Sequence, residues 1–146
     1  MLSAQDGVMS RQQALGTGLS PGGLRGLLDS EMLTALGRGV YALSGTPSWR
    51  GLAWAGLLFG GGESVLGLET AAHLHGLIPQ PPATISVWVG RSAQPSALAG
   101  WQFIRGERRG RGELARTSVE DTILDLARHS DDEALCRLME CRAKSR

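Results

Sequence analysis

Apolar positions along the first forty-odd residues fall first at helical and then at alternating spacing. Ser10-Arg11-Gln12-Gln13 reads as an S-x-x-Q capping box. The Ser10 hydroxyl can accept the Gln13 amide proton while the Gln13 side chain reaches back to the Ser10 amide, which predicts a helix beginning at Arg11. Gly16-Thr17-Gly18 stops that helix, and a second begins with Ser20 as N-cap and Pro21 at N1, where the missing amide proton costs nothing. Leu19 and Leu24 then hold the two positions of a hydrophobic staple. Leu24, Leu27 and Leu28 give the second helix one apolar face, and Gly22, Gly23, Arg25 and Gly26 lie toward the other. Residues 32–36 and 39–43 read as two short strands, with Gly37 at the first central position of a type II′ turn and Arg38 at the tip. The expected core of this unit is Leu24, Leu27, Leu28, Val40 and Leu43.

Residues 44–48 form a turn-rich linker. Beyond it, 49–59 predict a helix ended by Gly60-Gly61-Gly62, and 68–75 predict another closed by Gly76 as a C′ residue. Pro79, Pro81 and Pro82 exclude helix. In 84–89 Ile85, Val87 and Val89 alternate with Ser86 and Trp88, the pattern of a strand with one buried face. Residues 101–105 repeat it, and 114–117 are a candidate third strand. Ser118 to Asp121 is another capping box, ahead of Val119, Ile123, Leu126 and Ala127 on one helical face. Ser130 and Glu133 cap a last helix carrying Leu135, Leu138, Met139 and Arg142. The order predicts an α+β protein: a winged helix-turn-helix over 1–46, then a small α+β unit over 47–146 with helices on one face of two or three strands.

The chemistry that suits such an arrangement is docking on double-stranded DNA. A short second helix enters the major groove with its N-terminal residues leading, while the hairpin lies along the adjacent backbone. Ser20 and the amides of Gly22 and Gly23 are candidates for a phosphate at the helix N-terminus. Arg25 is the candidate for a base edge, Arg38 for a phosphate or the minor groove, and Arg11 for a backbone contact. The segment is not strongly basic, since Arg11, Arg25, Arg38 and Arg50 stand against Asp6, Asp29 and Glu31. Winged helices also act as protein-docking modules, so that alternative stays open.

Gly7-Val8 through Arg11, Gln13-Ala14, Gly18-Leu19-Ser20, Leu27-Leu28, Gly39-Val40-Tyr41 and Trp49-Arg50 resemble the N-terminal domain of AbiEi-type antitoxins and related actinobacterial transcriptional regulators. The resemblance continues through Ala71-Ala72-His73-Leu74-His75-Gly76-Leu77, Val87-Trp88-Val89, and Arg116-Thr117-Ser118 to Thr122-Ile123-Leu124-Asp125-Leu126-Ala127. It implies a bacterial repressor of its own operon that binds operator DNA, and an antitoxin whose partner is a nucleotidyltransferase-like toxin. The chain departs from the family in carrying Gly22, Gly23 and Gly26 where relatives have more arginine in the second helix.

A formal charge of +1 over 146 residues excludes a strongly basic nucleic-acid coat and an acidic mimic, so any basic surface must be local. Cys136 and Cys141 fall on different faces of a predicted helix, which favours free thiols and a reducing, cytoplasmic setting. Met1 to Gly7 is short and polar, and the apolar run over 52–59 is too brief to span a bilayer, so neither a signal peptide nor a membrane partner is expected.

Enzyme chemistry finds little support. Glu69 and His73 share a helix face, but His75 points about 200° around from His73 on an ideal helix. The three cannot converge on one ion without another element, so no metal or other cofactor is expected. Asp121 and Asp125 share a face as paired carboxylates of a metal-dependent nuclease might, yet no Glu-x-Lys partner follows a nearby strand, and a solvated face with Asp121 as cap is the simpler expectation. One polar constellation remains. Arg105, Arg108, Arg109, Arg111 and Arg116 crowd a glycine-interrupted loop, and Glu120, Asp121, Asp125, Asp131, Asp132 and Glu133 follow. Either the arginines pair with these carboxylates on a solvated surface, or Arg105, Arg108, Arg109 and Arg111 form a second basic patch for nucleic acid or an acidic protein.

Overall fold

The computed structural model describes residues 5–43 and 47–129. The expected last helix and both cysteines lie outside the described residues, as does most of the expected linker. The element order is β1 (Val8–Ser10), α1 (Arg11–Gly16), α2 (Pro21–Asp29), β2 (Leu33–Gly37), β3 (Val40–Leu43), α3 (Trp49–Gly60), β4 (Val65–Leu66), α4 (Leu68–Leu74), β5 (Ile85–Val89), β6 (Trp101–Arg105) and α5 (Val119–His129). Among the described residues this is a mixed α+β fold of five helices and two three-stranded sheets, ordered β1-β3-β2 and β4-β5-β6.

Local chemistry sets the first elements. The Gln13 amide donates to Ser10 Oγ at 3.1 Å and the Ser10 amide to Gln13 Oε1 at 3.0 Å, so both halves of the capping box form. Ser20 Oγ accepts from the Gly23 amide at 3.0 Å, and Pro21 opens α2. Leu19 packs with Leu24 in a cluster that also holds Met9, Ala14, Leu33 and Tyr41.

Strand β3 has a second face. Val8, Val40 and Ala42 turn toward Ala55 of α3, while Ala53 on the same helix packs with Ile85, Val87 and Val89 of β5. Helix α3 therefore lies between the two sheets, and its small residues permit this. A Cβ at Gly56 would lie 3.0 Å from Val87 Cγ2, and one at Gly60 only 2.7 Å from Ser64 Cβ. On the far side of β5, Trp88 joins Leu68 and Ala72 of α4 and Leu126 of α5.

Several expectations are corrected. All five β5 residues are buried because helices cover both faces of the second sheet, not one. Its third strand is β4, antiparallel to β5, whereas 114–117 contribute only isolated bridges of Arg116 to Leu66 and to Arg111. The connection from β5 to β6 is parallel. In the first unit Leu43 is half exposed and Val40 faces α3, so neither shares the Leu24 core, whereas Leu27 and Leu28 pack against that core as expected while staying partly exposed. The β2–β3 turn has Arg38 and Gly39 at its centre, because Gly37 pairs with Val40 across a bulge. Gly39 carries the positive φ, 76°, at the second central position, which rules out type II′. Gly37 is small for another reason: a Cβ there would meet Phe59 at 2.7 Å. On α5, Ser118 Oγ accepts from the Asp121 amide at 3.1 Å as expected, but Ala127 is exposed.

Candidate nucleic-acid interface

The hairpin tip and the start of α1 are joined by backbone. The Arg11 amide donates to Gly39 O at 2.8 Å, which places the first residue of α1 against the turn that carries Arg38. Gln5 steadies this end of the helix through a reciprocal amide pair with Gln13, at 3.0 and 3.1 Å. Helix α2 buries Leu24 alone completely, and Gly22, Arg25 and Gly26 are exposed on its other side. Arg11, Arg25 and Arg38 are all exposed, and among the described residues none forms a salt bridge. The Gly23 amide is consumed by the Ser20 cap. It is therefore not available to a phosphate as expected, and of the two glycine amides only that of Gly22 remains for one.

The arginine loop is divided by the fold. Arg108 donates through Nε to Asp125 Oδ2 and through NH2 to Asp125 Oδ1, both at 2.9 Å, and through NH1 to Glu107 O at 2.9 Å. Its guanidinium lies 3.8 Å from the centroid of the Trp88 ring, so the pair is both bidentate and stacked. The hydrogen bonds to Asp125 push the Arg108 guanidinium above its ordinary value, against the burial that works the other way. Asp125 is 3% exposed. This corrects the expectation of a solvated face for Asp125, and of the two expectations for the loop it gives Arg108 the paired one, with its partly buried guanidinium committed to Asp125 and Trp88. Arg105 NH1 donates to Arg91 O at 2.9 Å and Ala93 O at 2.8 Å, which pins the chain leaving β5. Arg116 NH1 donates to Leu114 O. Arg109 and Arg111 remain exposed with no carboxylate partner among the described residues.

His73 and His75 serve as clips between elements. His73 Nδ1 lies 3.1 Å from Ile78 O with its ring edge-on to Trp49, and His75 Nε2 lies 2.7 Å from Thr117 O. Each is directed to a different carbonyl, and among the described residues no three His, Cys, Asp or Glu side chains are grouped to hold a metal ion. No helix among the described residues is long and apolar enough to cross a membrane.

The Trp88–Arg108–Asp125 group went unseen in the sequence, although a signal was present. Asp125 sits between buried Thr122 and Leu126 on α5, a phase at which a carboxylate requires a partner. No protein-family model and no curated protein matches this chain.

Proposed function

We propose that the chain is a bacterial DNA-binding transcriptional repressor that engages its operator through residues 5–43 acting as a winged helix. The observation that carries the reading is the conjunction of topology and charge. Two short helices lie between β1 and the β2–β3 hairpin, the sheet runs β1-β3-β2, and the three exposed arginines occupy the start of α1, the outer side of α2 and the hairpin tip. In this reading α2 enters the major groove, where Gly22 and Gly26 let its backbone approach closely and Arg25 donates two hydrogen bonds to a guanine edge. Arg38 and Arg11, brought to one edge by the Arg11–Gly39 hydrogen bond, neutralise phosphates on the flanking backbone. The resemblance to AbiEi-type antitoxins extends this to autoregulation of a toxin–antitoxin operon, with residues beyond the hairpin serving a cognate toxin as partner.

The test compares Arg25→Ala with the parent on the chain's own upstream DNA and on random duplex. A base-reading Arg25 loses about 1 to 3 kcal/mol on the specific site only and relaxes preference at one base pair. An equal loss on both duplexes makes Arg25 a phosphate contact, and no loss on either removes α2 from the interface.

A further inference from the structure

A cavity of about 500 Å³ lies between β5, β6 and the helices that cover them on the Trp88 side. Its size falls within the roughly 300 to 1,000 Å³ of small-molecule sites. Leu68, Ile104 and Leu126 supply apolar wall, and the polar floor comes from two neighbouring strands. Ser86 is 7% exposed, and its hydroxyl donates to Gln102 Oε1 at 3.4 Å. Strand pairing sets Ser86 directly beside Gln102. Beside Ser86 the Gln102 carboxamide offers Nε2 as a donor and Oε1 as an acceptor, side by side. Glu69 at the rim adds a carboxylate that accepts only. Leu68 takes a φ of +51°, a conformation costly for a bulky residue, and it is one of the side chains lining the cavity.

We propose that this cavity is a binding site for a nucleobase-type heterocycle, a planar ligand with an adjacent donor and acceptor on one edge and apolar faces. A glutamine carboxamide is matched by an edge that sets an amino donor beside a ring-nitrogen acceptor, as adenine and cytosine both do. Glu69 favours a ligand with further N–H donors and disfavours one bearing a phosphate at that rim. The same edge is offered by a free nucleoside and by an unpaired base in a strand, so both are probes. The site is independent of the operator reading, because none of its residues belongs to the first sheet or its helices.

The experiment records methyl NMR spectra of the full chain, labelled at Leu and Ile, while adenosine, cytidine, guanosine and uridine are titrated separately to millimolar concentration. A parallel titration uses a short single-stranded oligonucleotide of adenosines. The expected result is a saturable shift of the Leu68, Ile104 and Leu126 methyls, strongest with adenosine and cytidine, whose Kd values rise at least tenfold in Gln102→Leu. Gln102 is exposed, so that variant is expected to retain the fold, and unshifted methyls of Leu66 and Leu114, packed on the other face of the same sheet, report it. A response to the oligonucleotide without one to free nucleosides supports the site and assigns its ligand to nucleic acid. No shift with any probe overturns the proposal, and so does a shift that Gln102→Leu leaves unchanged.

Discussion

Substituting Asp125 with alanine removes both acceptors from the Arg108 guanidinium while leaving Trp88 beneath it. The side chains are 4% and 22% exposed in the pair, so the carboxylate is desolvated and the guanidinium partly so. Breaking a buried ion pair by deleting one member costs about 3 to 5 kcal/mol. Arg108 keeps some water and its hydrogen bond to Glu107 O, which sets the expectation for Asp125→Ala near 3 kcal/mol. Urea denaturation followed by circular dichroism measures this. With a slope of roughly 1 to 3 kcal/mol per molar, the midpoint falls by about 1 to 3 M. The converse variant Arg108→Ala strands the more deeply buried carboxylate and costs more. The double variant Arg108→Met with Asp125→Leu has no stranded charge and is expected within about 1 kcal/mol of the parent. A loss below about 1 kcal/mol for Asp125→Ala, or a double variant as unstable as either single one, would refute the claim that an interior ion pair fixes this loop.

Leu24→Ala is expected to cost about 2 to 5 kcal/mol, since Leu24 is 1% exposed, whereas Leu43→Ala, at 50% exposure, stays within roughly 0.5 kcal/mol in the same denaturation assay. If Arg109 and Arg111 touch nucleic acid, replacing both with alanine lowers the slope of log K against log salt by up to about 1.8, at roughly 0.9 per phosphate. An unchanged slope in a salt series of fluorescence-anisotropy titrations removes the loop from the interface.

What the sequence made legible was local. The caps at Ser10, Ser20 and Ser118, the proline that opens α2 and the glycines that close α3 and α4 act within one turn of chain, so residue type alone specifies them. Strand β4 is only Val65–Leu66 and has no period to detect. It exists because Val65 and Leu66 pair with Trp88 and Val87, residues more than twenty positions away. Alternation in β5 suggested one buried face, but the Trp88 side is covered by α4 and α5, and that depends on tertiary packing. The same distance effect hid the site chemistry. Arg108 resembled its exposed neighbours Arg109 and Arg111 in sequence, and only the approach of α5, seventeen residues on, separates them. The Ser20 cap that ends the expected phosphate site at Gly23 is itself local, since it takes the Gly23 amide within one turn. At the hairpin, glycine at two of three successive positions concealed that one supplies the turn and the other clears space for Phe59.

The central claim is sequence-specific DNA binding by residues 5–43, and the most direct measurement is a footprint of the intact chain on the DNA upstream of its own coding sequence. Operator binding of this kind gives a discrete protected segment that survives excess random duplex, weakens steeply as salt rises, and disappears when Arg25 and Arg38 are both replaced by alanine. Protection that spreads without preference along the fragment, or none at protein concentrations that saturate non-specific binding, would contradict it.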